Sequence, residues 1–456
     1  MSTFEKFNFH SLEELKQKLA QDEIHIALSE DFSVFQRRVK VGKRTAPNAF
    51  AILPMEGCDC ELDGSPSELT LRRYIRFARG GAGLIWFEAC AVVPEGKANE
   101  RSMALTRDNL DQFKRMLEKV RSEARAKNGA DAEPLCILQL THSGRYSRPV
   151  GHVSAPMIAV HDPLLDPPVG LKGDEPVVSD EYLDNLQQRY VEAALLAQEA
   201  GFDGVDIKAC HRYLMSELLS AREREGRYGG SFENRSRMLL ETIAKVRAAL
   251  DARMIVACRF NVYDAHPYPY GFGVDRDDFM KYDLTEPLEL VRRMCAAGVE
   301  LLSNSAGNPY FRYPQFTRPF DTPALNGEIP EEHPLESVAR LFELSANIQR
   351  AAGDVPVVGN GYSWLRSFIP YAGAANLQRG DISMVGLGRS GIAYPDAPND
   401  VLAGGGMRPE KCCITCSKCT QMMRDHGRDG CVVRDAEVYA KLYRESRADA
   451  MQRNGK

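Results

Sequence analysis

Five of the twelve cysteines in this 456-residue chain, Cys412, Cys413, Cys416, Cys419 and Cys431, fall within twenty positions near the C-terminus. Cys413, Cys416 and Cys419 are each separated by two residues, and Cys431 follows after eleven more. Such tight spacing lets one loop wrap a small polynuclear iron–sulfur centre while a later thiolate closes the fourth corner. A structural zinc site is the main alternative. Zinc sites more often show two paired C-x-x-C knuckles, whereas here the fourth candidate ligand stands alone. Unliganded thiols are the third reading. The spacing from Cys412 to Cys416 would also serve, and Cys413 is the preferred ligand. The N-terminus, MSTFEKFNFHSLEELKQKLA, has no apolar signal-peptide core, so reduced thiols or metal ligands are expected rather than disulfides.

A second set of reactive residues sits where apolar runs end. QLTHSGRYSRP (139–149) offers Gln139, His142, Gly144 and Arg145, and GFDGVDIKACHRYLMSELLS (201–220) presents Lys208, His211 and Tyr213. REREGRYGGSFENRSRMLLE (222–241) places Gly229, Gly230, Glu233, Asn234 and Arg235 at a helix start. Arg259, Gly359 to Gly361 and Gly386 to Arg389 close three further runs. This is more polar detail than a packed core needs.

The elements that must position these groups alternate. Strand-like apolar runs at 48–55, 83–89, 135–140, 204–207, 254–260, 299–304, 355–360 and 382–388 are separated by amphipathic stretches such as 110–127, 182–200 and 236–250. Continuous apolar strands alternating with helices imply a parallel sheet covered by helices. Eight such units predict a (β/α)8 TIM barrel with a C-terminal Fe–S-binding segment. A doubly wound open sheet is weaker, because no strand leads into a G-x-G-x-x-G turn. Long connections at about 142–180 and 261–282 follow strand ends, the side where a barrel builds its site. The expected divisions are an N-terminal helical extension at 1–30, a barrel at 31–403, and a cluster segment with a closing helix at 404–456.

Composition is ordinary for a globular protein, with 44% hydrophobic and 27% charged residues. A net charge of −5 gives no concentrated basic face for nucleic acid. No apolar run approaches a spanning helix of roughly 18 residues, so no membrane partner and a cytoplasmic location are expected.

Together these motifs resemble the Old Yellow Enzyme family of FMN-dependent oxidoreductases, in its iron–sulfur branch with 2,4-dienoyl-CoA reductase and trimethylamine dehydrogenase. The likeness runs from about residue 33 to 435 and rests on YGGSFENR, GGAGLIWFEA and the terminal cysteines. It implies FMN across the barrel mouth and a [4Fe–4S] cluster on Cys413, Cys416, Cys419 and Cys431. Pro54 and Met55 would lie under the flavin ring, with Glu56 and Ala89 beside it. Gln139 would bond the pyrimidine edge, and Arg259 would sit at the electron-rich side. Gly359, Asn360, Gly361, Gly388 and Arg389 would cradle the phosphate.

In typical ene-reductases of this family two donors grip a substrate carbonyl oxygen, and a tyrosine two residues after the second protonates the α-carbon. His211 matches the second donor and Tyr213 the acid. Lys208 departs at the first donor position, where it can hydrogen-bond an oxyanion, select a carboxylate or lose its charge on desolvation. Arg212 replaces the usual glycine and is expected to add a cation nearby. Glu56 stands where relatives carry Thr or Cys; a bare carboxylate there would lower the flavin potential.

The expected function is therefore an FMN- and [4Fe–4S]-dependent ene-reductase acting on a small-molecule C=C conjugated to a carbonyl or carboxylate. The alternative is a flavin-dependent dehydrogenase, oxidising an amine or another C–H bond and passing electrons through the cluster. Repulsion from Lys208 and Arg212 argues against a cationic substrate. A catalytically silent electron-transfer subunit is the third reading. With no dinucleotide-binding domain in the sequence, either NAD(P)H reduces the flavin directly at the substrate face or, as the favoured expectation, an external carrier serves: ferredoxin, flavodoxin or a separate reductase. A homo-oligomer is compatible with these features.

Overall fold

The computed structural model describes residues 3–311, 316–325, 327–453 and 455. Eight parallel strands close a barrel: β1 (Phe50–Ile52), β2 (Leu84–Ala91), β3 (Leu135–Thr141), β4 (Gly204–Ile207), β5 (Ile255–Tyr263), β6 (Leu301–Ala306), β7 (Val357–Gly359) and β8 (Met384–Leu387). Strand β8 pairs with β7 through Met384 and Val358, and with β1 through Val385 and Phe50, which completes the ring. Every residue of all eight strands is buried. That two-sided burial is why the strands read as unbroken apolar runs rather than alternating ones.

The helices begin where short polar side chains cap them. Ser179 Oγ accepts the Tyr182 N–H at the start of Asp180–Ala200, and Ser231 Oγ accepts the Asn234 N–H at the start of Phe232–Ala249. Both helices therefore start a few residues ahead of their amphipathic pattern, since the cap sits upstream of the first apolar contact. Gly201, at φ +98°, ends the first of them in a left-handed conformation.

A hairpin of Val39–Val41 and Arg44–Ala46 lies at the N-terminal end of the barrel. Arg44 there pairs with Asp203, just before β4, at 2.6 Å. At the opposite end the two long connections interlock. Arg145 pairs with Glu217 at 2.6 Å and with Asp166, and His266 Nε2 lies 2.8 Å from Asp162. Within residues 1–30 the helix is Leu12–Gln21, and Phe7 and Phe9 pack on Trp364 at ring-centroid distances of 5.3 and 6.2 Å.

The cysteine-rich segment lies over the loops at the C-terminal ends of the strands. The Asp429 N–H donates to the Gly57 carbonyl at 2.6 Å, the Asp321 N–H to the Thr415 carbonyl at 3.2 Å, and Asp435 binds Arg72 and Arg76 at 2.7 and 2.5 Å. A helix, Ala436–Arg453, follows it. Among the described residues no helix is long and apolar enough to cross a membrane.

Candidate active site

The turn after β4 gathers the three residues expected to act on substrate. Lys208 is buried, with 3% of its side chain exposed, and its Nζ donates to Glu56 Oε1 at 3.0 Å. The Tyr213 hydroxyl donates to the same Glu56 oxygen at 3.0 Å. Lys208 Nζ also stands 3.8 Å from the centre of the Tyr213 ring. Glu56 is thus neither bare nor turned away: one carboxylate oxygen holds an ammonium and a phenol together. Burial, then the Glu56 charge and Tyr310, push the Tyr213 hydroxyl well above the ordinary tyrosine range. A second phenol, Tyr310, has its oxygen 3.0 Å from that of Tyr213, and the Tyr146 ring lies 4.3 Å from that of Tyr310. Glu56, Tyr146 and Tyr310 line a cavity of about 480 Å³ with Arg148, Arg424 and His426.

His211 occupies a left-handed conformation at φ +64°, followed by Arg212 at φ +58°. Such backbone costs on the order of 1–3 kcal/mol per residue and persists only where surroundings over-determine it. Here they do. Asn261 Oδ1 accepts the His211 N–H at 3.1 Å, and Arg212 is fully buried between Asp162 and Asp264 at 3.3 and 3.2 Å. Arg212 is therefore a structural brace, not the extra site cation expected from sequence; two carboxylates neutralise it. His211 Nε2 lies 3.0 Å from Ser305 Oγ. Burial, with the charges of Arg259, Lys208 and Arg318, pushes the imidazole well below its ordinary value, so it is neutral and keeps one N–H donor.

The strand ends beside this turn share a buried carboxylate. Asp206 accepts from Trp86 Nε1 at 2.9 Å, Gln139 Nε2 at 2.6 Å and the Arg259 N–H at 2.8 Å. Burial pushes it up to about 6 despite these bonds. Arg259 Nη1 reaches the Pro54 carbonyl at 3.4 Å, which brings β5 against the Pro54–Met55–Glu56 loop after β1. Ala89 sits at an irregularity in β2, where pairing with β3 shifts register after Phe87. Gly359 ends β7, Asn360 Nδ2 donates to the Asn304 carbonyl at 2.9 Å, and Gly361 has φ +92°. Gly388 and Arg389 follow β8, and Arg389 Nη2 donates to the Pro319 carbonyl at 2.6 Å.

Cys413, Cys416, Cys419 and Cys431 line one small cavity with Arg389. The Thr415 N–H points at Cys413 Sγ at 3.4 Å, and the Arg434 N–H at Cys431 Sγ at 3.3 Å. Cys412 turns away, its thiol donating to the Arg408 carbonyl at 3.3 Å. Among the described residues the sole trio of metal-type ligand atoms within 4.8 Å of one another is Asp59, Cys60 and Glu88. Arg73 already neutralises that trio, at 2.6 Å from Asp59 and 2.5 Å from Glu88. No three of the four cysteine sulfurs approach so closely.

The sequence model of the NADH:flavin oxidoreductase / NADH oxidase family matches residues 34–277, more than half of the chain. The chain belongs to this family. An NADPH dehydrogenase of Bacillus velezensis is 30% identical over 250 residues, covering 54% of this chain and 65% of the relative. An NADH oxidase of Thermoanaerobacter brockii is 27% identical over 384 residues, covering 83% of this chain and 52% of the relative. The chain thus spans between half and two thirds of the length of these relatives. A solved 2-naphthoyl-CoA reductase complex has the same fold, with a TM-score of 0.67 at 20% identity, covering 91% of this chain and 58% of that one.

Members of the NADH:flavin oxidoreductase family act through a flavin, and the mouth of this barrel fits one. Arg259 Nε, Arg389 Nη1 and Asn304 Nδ2 are buried donors without a partner among the described residues. Such donors are costly unless a ligand accepts from them. A Cβ added at Gly388 would find only Met55 Sδ, at 3.8 Å, so the backbone there is open to close approach. The flavin residues expected from sequence converge on this end of the barrel.

Several residues escaped the sequence reading. Asp206 had one signal, a lone acid inside an apolar strand run. Tyr146 lies within the GRYSRP stretch but reads there as a loop aromatic. Tyr310, Arg318 and Arg424 carry no local signal, since only the fold brings 310, 318 and 424 to the same opening. Conversely, His142 and Arg145 are loop anchors: His142 Nε2 lies 2.9 Å from the Tyr182 hydroxyl, and Arg145 is locked in its buried ion pairs.

Proposed function

We propose that the chain is an FMN- and [4Fe–4S]-dependent ene-reductase acting on a C=C conjugated to a carbonyl or carboxylate. The observation that carries this reading is the buried Tyr213 hydroxyl, 3.0 Å from Glu56, on the same turn as a neutral His211. Pro54, Met55, Ala89, Gln139 and Arg259 would hold the flavin ring, and Gly359, Asn360, Gly361, Gly388 and Arg389 its phosphate. When bound, FMN supplies hydride chemistry, and a cluster on Cys413, Cys416, Cys419 and Cys431 supplies single electrons from an external carrier.

The protein's own part is binding, polarisation and proton delivery. His211 donates its one N–H to the carbonyl oxygen of the substrate. Lys208 adds a fixed positive charge, kept in place by Glu56. Tyr213 delivers its proton to the α-carbon, and the phenolate left behind faces the Lys208 ammonium across the ring. The sequence spacing supports a cluster over zinc, because three cysteines each two residues apart and a lone fourth depart from the two paired C-x-x-C knuckles that zinc sites more often show.

The tyrosines Tyr146, Tyr213 and Tyr310 favour a second reading, oxidation of an amine against an aromatic wall. The repulsion once expected from Arg212 is void, since that residue is paired inward. The face of Tyr213 is nonetheless already occupied by Lys208, which leaves ene-reduction the better reading. Anaerobic purification with an absorption spectrum and iron analysis tests both prosthetic groups; a colourless or zinc-only protein overturns the proposal. In rapid mixing, Tyr213→Phe slows reoxidation by an unsaturated substrate while reduction of the flavin stays intact. Unchanged turnover removes Tyr213 from the mechanism.

A further inference from the structure

Three guanidinium groups crowd the barrel mouth without a carboxylate. Arg318 donates to the Pro309 carbonyl at 3.3 Å, and Arg424 donates to that same carbonyl at 3.1 Å. Arg389 donates to the carbonyl of Pro319, next to Arg318 in the chain. Among the described residues no ion pair joins any of the three to an acid. The charges repel: burial, then Arg424 and Arg389, push the Arg318 guanidinium down to about 9. Two other buried arginines are matched, Arg73 by Asp59 and Glu88, and Arg212 by Asp162 and Asp264, while Arg259, which has no ion pair among the described residues, faces the expected flavin position. Two like charges on one carbonyl make an arrangement that only an anion completes.

The place of the pair says which anion. Pro309 precedes Tyr310, whose hydroxyl touches that of Tyr213, and Arg424 lines the cavity that Glu56 and Tyr310 also line. Glu56 and Glu328 are the acids on that wall; Glu56 is already taken by Lys208, and among the described residues no ion pair joins Glu328 to either arginine. We infer that Arg424 and Arg318 form a carboxylate clamp that selects substrates bearing an anionic group close to the double bond. This rests on the ene-reductase reading for the reaction, but the clamp itself is a matter of binding. Arg424 ends the short helix Lys418–Arg424, which carries the third cysteine, Cys419, so the cysteine segment supplies the specificity residue. Phosphate on the flavin is the other oxyanion within the chemistry of this trio, and the test separates the two.

Benzoate and benzamide, which have the same shape and no reducible bond, are titrated into the oxidised holoenzyme while the visible flavin spectrum is followed. Benzoate binds roughly 10- to 100-fold tighter than benzamide, as charge-assisted hydrogen bonds require. Arg424→Gln abolishes that preference, and Arg424→Lys retains part of it. FMN affinity of the apoprotein, measured by fluorescence quenching, is the same in wild type and Arg424→Gln. Equal binding of benzoate and benzamide, no binding of either, or an undiminished preference in a folded Arg424→Gln protein overturns the clamp. So does a loss of FMN affinity in Arg424→Gln without a change in preference, which assigns the arginine to the cofactor. Cinnamate and methyl cinnamate under reducing conditions complete the test. If neither is reduced while benzoate is still preferred, the ene-reductase reading falls and the clamp stands.

Discussion

The sharpest prediction concerns Lys208→Met. When Tyr213 gives up its proton, negative charge develops on an oxygen 3.0 Å from Glu56, and the Lys208 ammonium 3.8 Å from the ring centre offsets it. Removing the ammonium leaves two like charges facing each other. At 3.8 Å from the ring centre and an effective dielectric of about 20, the attraction lost with the ammonium is about 4.4 kcal/mol for a full charge. With the charge about half developed in the transition state, and Glu56 partly open to solvent, about 2 kcal/mol reaches the barrier, or roughly 30-fold in rate. The assay is single-turnover, anaerobic mixing of pre-reduced enzyme with an unsaturated substrate. Glu56→Gln combined with Lys208→Met removes both charges and recovers most of the lost rate, as expected for directly coupled residues. If Lys208→Met reoxidises at the wild-type rate, or the double variant is no faster than the single one, the charge-compensation argument is wrong.

Two further outcomes follow from the geometry. Cys413→Ser loses roughly a quarter or more of the bound iron and the visible cluster absorption, whereas Cys412→Ser keeps both, because Cys412 Sγ bonds to the Arg408 carbonyl; equal iron contents in the two variants refute the assignment. Asp206 is raised by burial from the usual 3.8 to about 6, so folding favours its protonated form. Its contribution to stability is full below about pH 4 and falls by up to about 3 kcal/mol as pH rises through 6. Chemical unfolding of Asp206→Asn from pH 4 to 7 is therefore flatter than that of wild type, and parallel profiles refute it.

The barrel was legible because its strands are buried on both faces, so each appears as a short apolar run between amphipathic stretches. Helix starts were less so, since Ser179 and Ser231 act through a backbone bond that no apolar period records. The site separates along the same line. Lys208, His211 and Tyr213 lie within six residues and could be read as a unit. What Glu56 does with them depends on a loop more than 150 positions away, so its pairing with Lys208 was not readable. The fate of Arg212 was misjudged for a like reason: its partners Asp162 and Asp264 come from two separate long connections. The arginines at 318 and 424 meet only because both reach one carbonyl, a coincidence in space with no trace in either neighbourhood.

The stretch from Cys413 to Cys431 is a wall of the cavity, through Met423, Arg424 and His426, and in the proposed function it is also the socket for the cluster. On the reading proposed above, these two duties share a fate. A molecule that loses its iron also loses the rigid loop that presents its arginine, so it does not linger as an unselective reductase. A half-loaded preparation is then a mixture of competent and blind molecules rather than a uniformly weakened one. Its turnover scales with iron content, and its discrimination between acids and esters stays constant at every loading.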